Sequence, residues 1–346
     1  MKKTIQIGSR LIGPGHPVYM VAEMSANHNQ DFDQAVAILK EAKESGADAV
    51  KLQTYTPDTM TIDCDNAHFR LGPKNTWAGE TLYQLYSRAY TPWEWQPKLK
   101  KIADEIGLDF FSTPFDFSAT DFLETMDVPV YKIASFEMVD ISLIEYIAKK
   151  GKPIILSTGL GKWEEIEEAV TAIRNAGNDQ IVLLKCTSAY PASPENMHLK
   201  AMPLLSDKLN VLCGLSDHTL GMNAALASVT LGASVIEKHF TLSRKNGGLD
   251  AKFSLEPAEF LELVRNVRLT EAALGTAVFE PSAEEESNLV FRRSLFVVQD
   301  VKPGEYITME NVRSIRPGNG LHPRYLKQIF GKAFTKGVPR GTPLRL

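Results

Sequence analysis

Short apolar runs rich in β-branched residues alternate along the chain with longer segments of helical period. The runs at 18–25, 49–54, 109–113, 130–133, 153–157, 181–185, 212–216 and 235–239 have strand length and composition. Between them, residues 31–45 set Ala35, Ile38, Leu39 and Ala42 on one helical stripe, and residues 163–176 do the same with Ile166, Ala169, Val170 and Ile173. Gly46, Gly107, Gly151, Gly177 and Gly232 follow such segments shortly before the next run, where a helix stops. Eight strand–helix units closed by an amphipathic stretch over 257–274 predict an α/β fold, a (β/α)8 TIM barrel of the usual size, about 250 residues. A doubly wound open sheet is the alternative, but it ordinarily uses fewer strands and a glycine-rich first turn, and neither GxGxxG nor GxxxxGK[ST] occurs. Residues 55–79 are polar and irregular, with the length of an active-site loop rather than a connector.

The pattern changes near residue 275. Glu280-Pro281-Ser282 and the acidic run Glu284-Glu285-Glu286 mark a boundary, and beyond it come a short strand around 295–298 and turns at Lys302-Pro303-Gly304, Arg316-Pro317-Gly318-Asn319-Gly320 and Val338-Pro339-Arg340-Gly341. The expected organisation is a barrel over 1–275, a linker over 276–287 and a small domain over 288–346. At about 60 residues without disulfides, that domain is marginal alone and is expected to pack on another surface.

Composition narrows the function classes. With 346 residues, 44% hydrophobic and 23% charged, the chain can bury two real cores, which excludes disorder. The net charge of −4 offers no overall basic footprint for nucleic acid, yet it conceals a split. Residues 288–346 hold 11 Lys and Arg against 3 Asp and Glu, a net of +8, and the preceding part holds 27 against 39, a net of −12. No run approaches the roughly 18 apolar residues that span a bilayer, and the first residues lack the apolar core of a signal peptide, so a cytoplasmic protein without membrane association is expected. Cys64, Cys186 and Cys213 are odd in number and unrelated in spacing, which argues for reduced thiols over a disulfide framework or a cysteine zinc site.

In a barrel of this kind the C-terminal strand ends build the active site. Here they carry Glu23 with Asn27 and His28 beyond it, Lys51 and Gln53, Ser112-Thr113, Lys132 followed by Ser135 and Glu137, Ser157-Thr158-Gly159, Lys185 with Thr187, Ser188 and Tyr190, Ser216-Asp217-His218, and Glu237-Lys238-His239. One lysine at a strand end is an ordinary snorkelling rim residue. Lys51, Lys132 and Lys185 in one ring, with hydroxyls between them, point instead to a polyanion such as a phosphate ester bearing a carboxylate. His218 and His239 each read as rim or core histidines, but their strands are neighbours in a closed barrel, where two imidazoles can share a divalent ion. His16, His68, His198 and His322 lie in loops or turns and receive no role. Lys, His, Glu and Asp at one mouth suit addition of an anionic nucleophile to a metal-polarised carbonyl, and equally a metal-dependent aldolase.

The strings Ala22-Glu23-Met24-Ser25-Ala26-Asn27-His28, Lys51-Leu52-Gln53-Thr54-Tyr55, Ser112-Thr113-Pro114-Phe115, Lys132-Ile133-Ala134-Ser135, Cys186-Thr187-Ser188-Ala189-Tyr190-Pro191, Gly214-Leu215-Ser216-Asp217-His218-Thr219 and Glu237-Lys238-His239-Phe240-Thr241, with Arg316-Pro317-Gly318-Asn319-Gly320 in the tail, resemble the sialic acid (nonulosonic acid) synthase family over essentially the whole chain. Ser25-Ala26-Asn27-His28, Gln53-Thr54-Tyr55-Thr56-Pro57-Asp58 and Leu82-Tyr83-Gln84-Leu85-Tyr86 most resemble the branch that makes pseudaminic acid. The resemblance implies a C-terminal antifreeze-like (SAF) domain and a condensation of phosphoenolpyruvate with 2,4-diacetamido-2,4,6-trideoxy-altrose that releases phosphate. It also implies that His218 and His239 hold a divalent cation, manganese or magnesium, which orients the open-chain aldehyde and activates the water that adds to C2 of phosphoenolpyruvate. Lys51, Thr113, Lys132, Ser135, Ser157 and Ser216 are then expected to cradle phosphate and carboxylate, joined by Ser188, which stands where the family's Cys-Thr-Asn motif has asparagine. Glu23, Tyr190 and Asp250 are expected at the sugar and Glu137 at the proton transfer, so that Glu23, Glu137, His218 and His239 form the catalytic set. The tail is expected to cap the barrel of the other subunit in a domain-swapped homodimer, Arg316 reaching an N-acyl group of the sugar. An N-acetylneuraminate or legionaminate synthase differs only in the sugar, a metal-dependent aldolase would release no phosphate, and a non-catalytic sugar-binding protein leaves the ring of lysines and histidines unexplained.

Overall fold

The computed structural model describes residues 4–73 and 78–345; residues 1–3, residues 74–77 of the 55–79 insertion and Leu346 lie outside the described residues. The chain forms two compact units, 1–275 and 276–346.

In the first unit a hairpin of β1 (Ile5–Ile7) and β2 (Arg10–Ile12) precedes eight parallel strands: β3 (Tyr19–Glu23), β4 (Ala49–Thr54), β5 (Asp109–Pro114), β6 (Tyr131–Ile133), β7 (Ile154–Ser157), β8 (Ile181–Cys186), β9 (Leu212–Asp217) and β10 (Val235–His239). They close in sequence order, β10 pairing with β3, so the closed barrel replaces the doubly wound alternative. All eight expected strands are present, with ends that move by one or two residues. The hairpin is an addition to the expected fold. Its Ile5, Ile7 and Ile12 are buried in one cluster with the barrel residues Val21, Ala49, Phe111 and Val182, each such burial contributing about 1.5–3 kcal/mol. Beside it, Arg10 pairs with Asp48 and Asp109.

The helices follow from local chemistry. Helix α1 (Phe32–Glu44) starts where the Asp31 carboxylate accepts from the Gln34 amide at 3.1 Å, and buries the expected Ala35, Ile38, Leu39 and Ala42. After β4 the chain makes two extra helices, α2 (Pro57–Met60) and α3 (Leu82–Ala89), the latter opened by a Thr81/Gln84 capping box, before the packing helix α4 (Gln96–Glu105). Among the described residues of 55–79, expected to be irregular, only Pro57–Met60 form a helix, and α3 begins beyond that range. The remaining helices are α5 (Phe117–Thr125), α6 (Ile141–Ala148), α7 (Trp163–Asn175), α8 (Ala201–Leu209), α9 (Asn223–Thr230) and α10 (Pro257–Leu274). Gly214 on β9 is a packing requirement, since a Cβ there would lie 2.2 Å from the Val235 carbonyl oxygen of β10. Among the described residues no helix is long and apolar enough to cross a membrane.

The second unit pairs β11 (Ser294–Val297) antiparallel with β12 (Val312–Ile315), followed by the short helix α11 (Leu326–Ile329). The first strand lies where one was expected and the second is new. Leu295, Val297, Val301, Val312, Ile329 and Phe334 form its own small core.

Candidate active site

Strand parity decides which side chains meet at the barrel mouth, because neighbouring residues on a strand face opposite sides. The C-terminal strand ends surround a cavity of about 370 Å³. Glu23 of β3, Lys51 and Gln53 of β4, Lys132 of β6, Ser157 of β7, Cys186 of β8, Ser216 of β9, and Glu237 and His239 of β10 all line it. Loops that leave the strands add Ser135, Glu137, Tyr190, His218 and Asp250. Thr113 pairs in register with Gln53 and is fully buried, its Oγ1 without a hydrogen-bond partner among the described residues. Ser188 sits beside the cavity, since a Cβ on Gly159 would fall 2.3 Å from its Oγ and 2.7 Å from that of Ser135. The bare Gly159 leaves that space open, and its amide donates to Ser135 Oγ at 3.1 Å. Arg316 belongs to the second unit, its guanidinium 5.8 Å from the centre of the Phe291 ring.

The ring of three lysines is a pair. Lys185 precedes the cavity-lining Cys186, so parity turns it to the other face, where its Nζ donates to the Cys186 carbonyl at 2.8 Å. Lys51 and Lys132 are inside and almost fully buried. Lys51 Nζ lies 2.8 Å from Glu23 and 3.5 Å from Glu237; burial works against its charge, but the two carboxylates outweigh it and raise its pKa. Lys132 donates to Ser157 Oγ at 2.6 Å and to the Ile133 carbonyl at 3.1 Å, and burial lowers its pKa. Glu237 and Cys186 carry no role in the expectation from sequence, although Glu237 shares a strand face with the expected His239 and Cys186 pairs in register with the expected Ser216. Burial pushes Glu237 up, yet Lys132 and Lys51 prevail and hold it below the usual glutamate value. Burial dominates at Glu23, raising it to about 7, and again at Glu137, also to about 7.

His218 and His239 stand with ring centres 5.3 Å apart. His218 Nδ1 faces the Thr187 carbonyl at 3.0 Å and Cys186 Sγ at 3.8 Å, which leaves Nε2 for a ligand. His239 Nδ1 is buried without a hydrogen-bond partner among the described residues, the nearest acidic oxygen being Asp250 Oδ2 at 3.9 Å. Burial, then repulsion from His218, keeps His239 well below the ordinary imidazole value and so neutral, the form that ligates metal. Among the described residues no cluster of three or more His, Cys, Asp or Glu has the geometry to hold an ion. Two facing imidazoles, one with an unsatisfied nitrogen, fit a divalent ion whose other positions are open to substrate. Asp250 accepts from Ser25 Oγ at 2.5 Å, and Tyr190 packs its ring 4.5 Å from that of His218.

Asn27 and His28 are struts. Asn27 donates to the Phe240 carbonyl at 2.9 Å and to Ser254 Oγ at 2.8 Å, tying the loop after β3 to the loop after β10. His28 is buried against Thr91 Oγ1 at 3.0 Å and the edge of Trp95, and burial lowers its pKa to about 4.

Residues 38–279 match the NeuB family and residues 292–346 the SAF domain. A pseudaminic acid synthase of Helicobacter pylori is 43% identical over 331 residues, 95% of this chain and 96% of that protein. An N,N'-diacetyllegionaminic acid synthase of Legionella pneumophila is 35% identical over 338 residues, 96% of this chain and 94% of its own. Among solved structures, the spore coat polysaccharide biosynthesis protein spsE of Bacillus subtilis superposes with a TM-score of 0.69 at 32% identity, covering 99% of this chain and 98% of its own.

Proposed function

The chain belongs to the NeuB family, and on that premise we propose that it condenses phosphoenolpyruvate with 2,4-diacetamido-2,4,6-trideoxy-altrose and water to give pseudaminic acid and inorganic phosphate. The near full-length likeness to pseudaminic acid synthases carries this reading, and the cavity is chemically suited to it. A bond forms between C3 of phosphoenolpyruvate and the sugar's aldehyde carbon, water adds at C2, and phosphate leaves from C2.

Phosphoenolpyruvate brings up to three negative charges to a floor that holds Lys51 and Lys132. These lysines offset the phosphate and carboxylate, with hydroxyl donors from Ser135, Ser157, Ser188 and Ser216, and Thr113 in support. Glu23, Tyr190 and Asp250 orient the sugar. Glu137, which burial keeps half-protonated near neutrality, gives its proton to the aldehyde oxygen as that oxygen gains charge. His218 and His239 would hold a divalent ion, manganese or magnesium, whose chemistry when bound is to polarise the aldehyde. The second unit caps the barrel of the other subunit in a domain-swapped homodimer in the cytoplasm, with Arg316 at an N-acyl group of the sugar; the family resemblance and the +8 charge of residues 288–346 support this.

Phosphate release tests the reading. It is measured with the altrose-configured diacetamido sugar, the manno-configured diacetamido sugar and N-acetylmannosamine, with and without chelator. The expected result is chelator-sensitive release that is fastest with the altrose configuration. Fastest release with the manno-configured sugar would make the chain a legionaminate synthase, fastest release with N-acetylmannosamine a neuraminate synthase, and no release with any of them overturns the condensation.

A further inference from the structure

The cavity has two chemically different halves. Its floor, from the strand ends, is charged. Its wall, from the insertion after β4, is apolar: Leu82, Leu85, Tyr86 and Ala89 follow at i, i+3, i+4 and i+7 on α3, and all four line the cavity together with Met60 and Leu71. An amphipathic helix of a barrel normally turns such a stripe to the sheet, whereas α3 turns it to the ligand space. The wall is firmly built. Leu82 N–H donates to the Phe69 carbonyl at 2.9 Å and Leu71 N–H to the Glu80 carbonyl at 2.9 Å, while the buried Tyr55 ring meets those of Tyr86 and Phe115 edge-on at 5.5 and 5.2 Å. Within the stripe on α3 only Tyr86 carries a side-chain polar atom, and burial, then the charge of Glu137, raises the pKa of its hydroxyl.

We propose that this wall is the specificity element that reads the C6 end of the sugar and selects a methyl group there over a hydroxymethyl. The inference rests on the condensation reading, which places the aldehyde carbon at the floor beside the lysines and histidines. C6 is the carbon farthest from the aldehyde, so it points away from the floor and into the wall. A methyl group loses nothing on leaving water for Leu82, Leu85 and Met60, whereas a hydroxyl gives up its hydrogen bonds without compensation. An apolar surface rejects an added hydroxyl only moderately, by up to about 10²-fold. Selection of this size is expected here, in kcat/KM for the sugar.

The test measures kcat/KM for phosphate release with two sugars that differ only at C6, the 2,4,6-trideoxy diacetamido altrose and its 6-hydroxy counterpart. The proteins are the unaltered chain, Leu82→Asn and Met60→Gln. The unaltered chain should prefer the 6-deoxy sugar by about ten- to hundredfold, and each variant should reduce that ratio at least threefold through the sugar while KM for phosphoenolpyruvate stays put. Since the two substitutions lie on separate helices, failure of one variant to fold leaves the other to decide, and circular dichroism identifies which has folded. A ratio near one in the unaltered chain, or a ratio unchanged in the folded variants, overturns the wall. If the chain releases phosphate only with N-acetylmannosamine, the sugar assignment fails separately, and the same ratio is then read with N-acetylmannosamine and its 6-deoxy form.

Discussion

Replacing Lys238 by methionine removes one partner of an ion pair that has no exposed side-chain surface. Lys238 of β10 pairs in register with Asp217 of β9, both side chains pointing out of the barrel into the helix layer. Its Nζ donates to Asp217 Oδ2 at 2.7 Å and to the Thr219 carbonyl at 2.6 Å, and Asp217 Oδ1 accepts from the Thr219 amide at 2.8 Å and from its hydroxyl at 2.7 Å. Burial lowers the Lys238 pKa and Asp217 resists the shift. Methionine keeps the length and the packing but leaves Oδ2 a buried charge without a donor, along with a deserted carbonyl. Losing a charged hydrogen bond costs about 1.5–3 kcal/mol and stranding the carbonyl about 1–3 more, in line with the roughly 3–5 kcal/mol of a broken buried pair. Urea unfolding followed by far-ultraviolet circular dichroism measures the loss. Adding Asp217→Asn to Lys238→Met removes the stranded charge, so the double variant should be more stable than the sum of the singles by about 0.5–3 kcal/mol. A Lys238→Met protein within about 1 kcal/mol of the unaltered one, or strictly additive variants, would refute the reasoning.

Four other outcomes follow from the same geometry. Burial holds Glu137 at about 7, with Lys132 and Lys51 pulling down and Asp140 pushing up, so activity should fall as pH rises through about 7 and Glu137→Gln should lose that limb of the profile. The native state binds this proton more tightly than the unfolded chain, so the group's effect on stability is most favourable below 4.5 and declines as pH rises to about 7; a flat comparison of Glu137→Gln with the parent over that window would contradict it. Gly214→Ala drives a Cβ into the Val235 carbonyl and to 2.7 Å from Leu184 Cδ2, and should cost about 1–3 kcal/mol in thermal unfolding, an unshifted midpoint counting against that packing. His218→Ala and His239→Ala should each abolish both chelator-sensitive turnover and manganese binding in calorimetry, and intact binding in either would exclude that imidazole as a ligand.

The barrel was legible because each of its strands is a short apolar run bounded by turn residues, and because glycines follow most of the helices, Asp127 and Asn210 taking the left-handed position after α5 and α8. The hairpin at Ile5–Ile7 and Arg10–Ile12 was not, since three-residue strands fall below any reliable period, although Gly8-Ser9 between two alternating triplets is a hairpin signal. The direction of Lys185 was hidden for a different reason. β8 is apolar on both faces, so its inward parity is set by register with β9, where Cys186 pairs with Ser216, and not by anything within the strand. The apolar wall was partly visible as the helical period of Leu82, Leu85, Tyr86 and Ala89, but that period does not say whether a stripe faces a sheet or a ligand.

Parity also gives the two triplets at the mouth a common meaning within this chain. Ser216-Asp217-His218 and Glu237-Lys238-His239 each read in, out, in. The outer residues of each lie in the cavity and the middle ones meet behind the wall as the Asp217–Lys238 pair. Each histidine directly follows one partner of that pair, so the ion pair fixes where the backbone leaves β9 and β10 and therefore how far apart the two rings stand. The Lys238→Met protein should thus bind manganese more weakly than its loss of stability at the assay temperature accounts for, with both imidazoles still present. Calorimetry under conditions where the variant is fully folded separates the two effects, and an unchanged affinity there would confine the pair to a purely structural role.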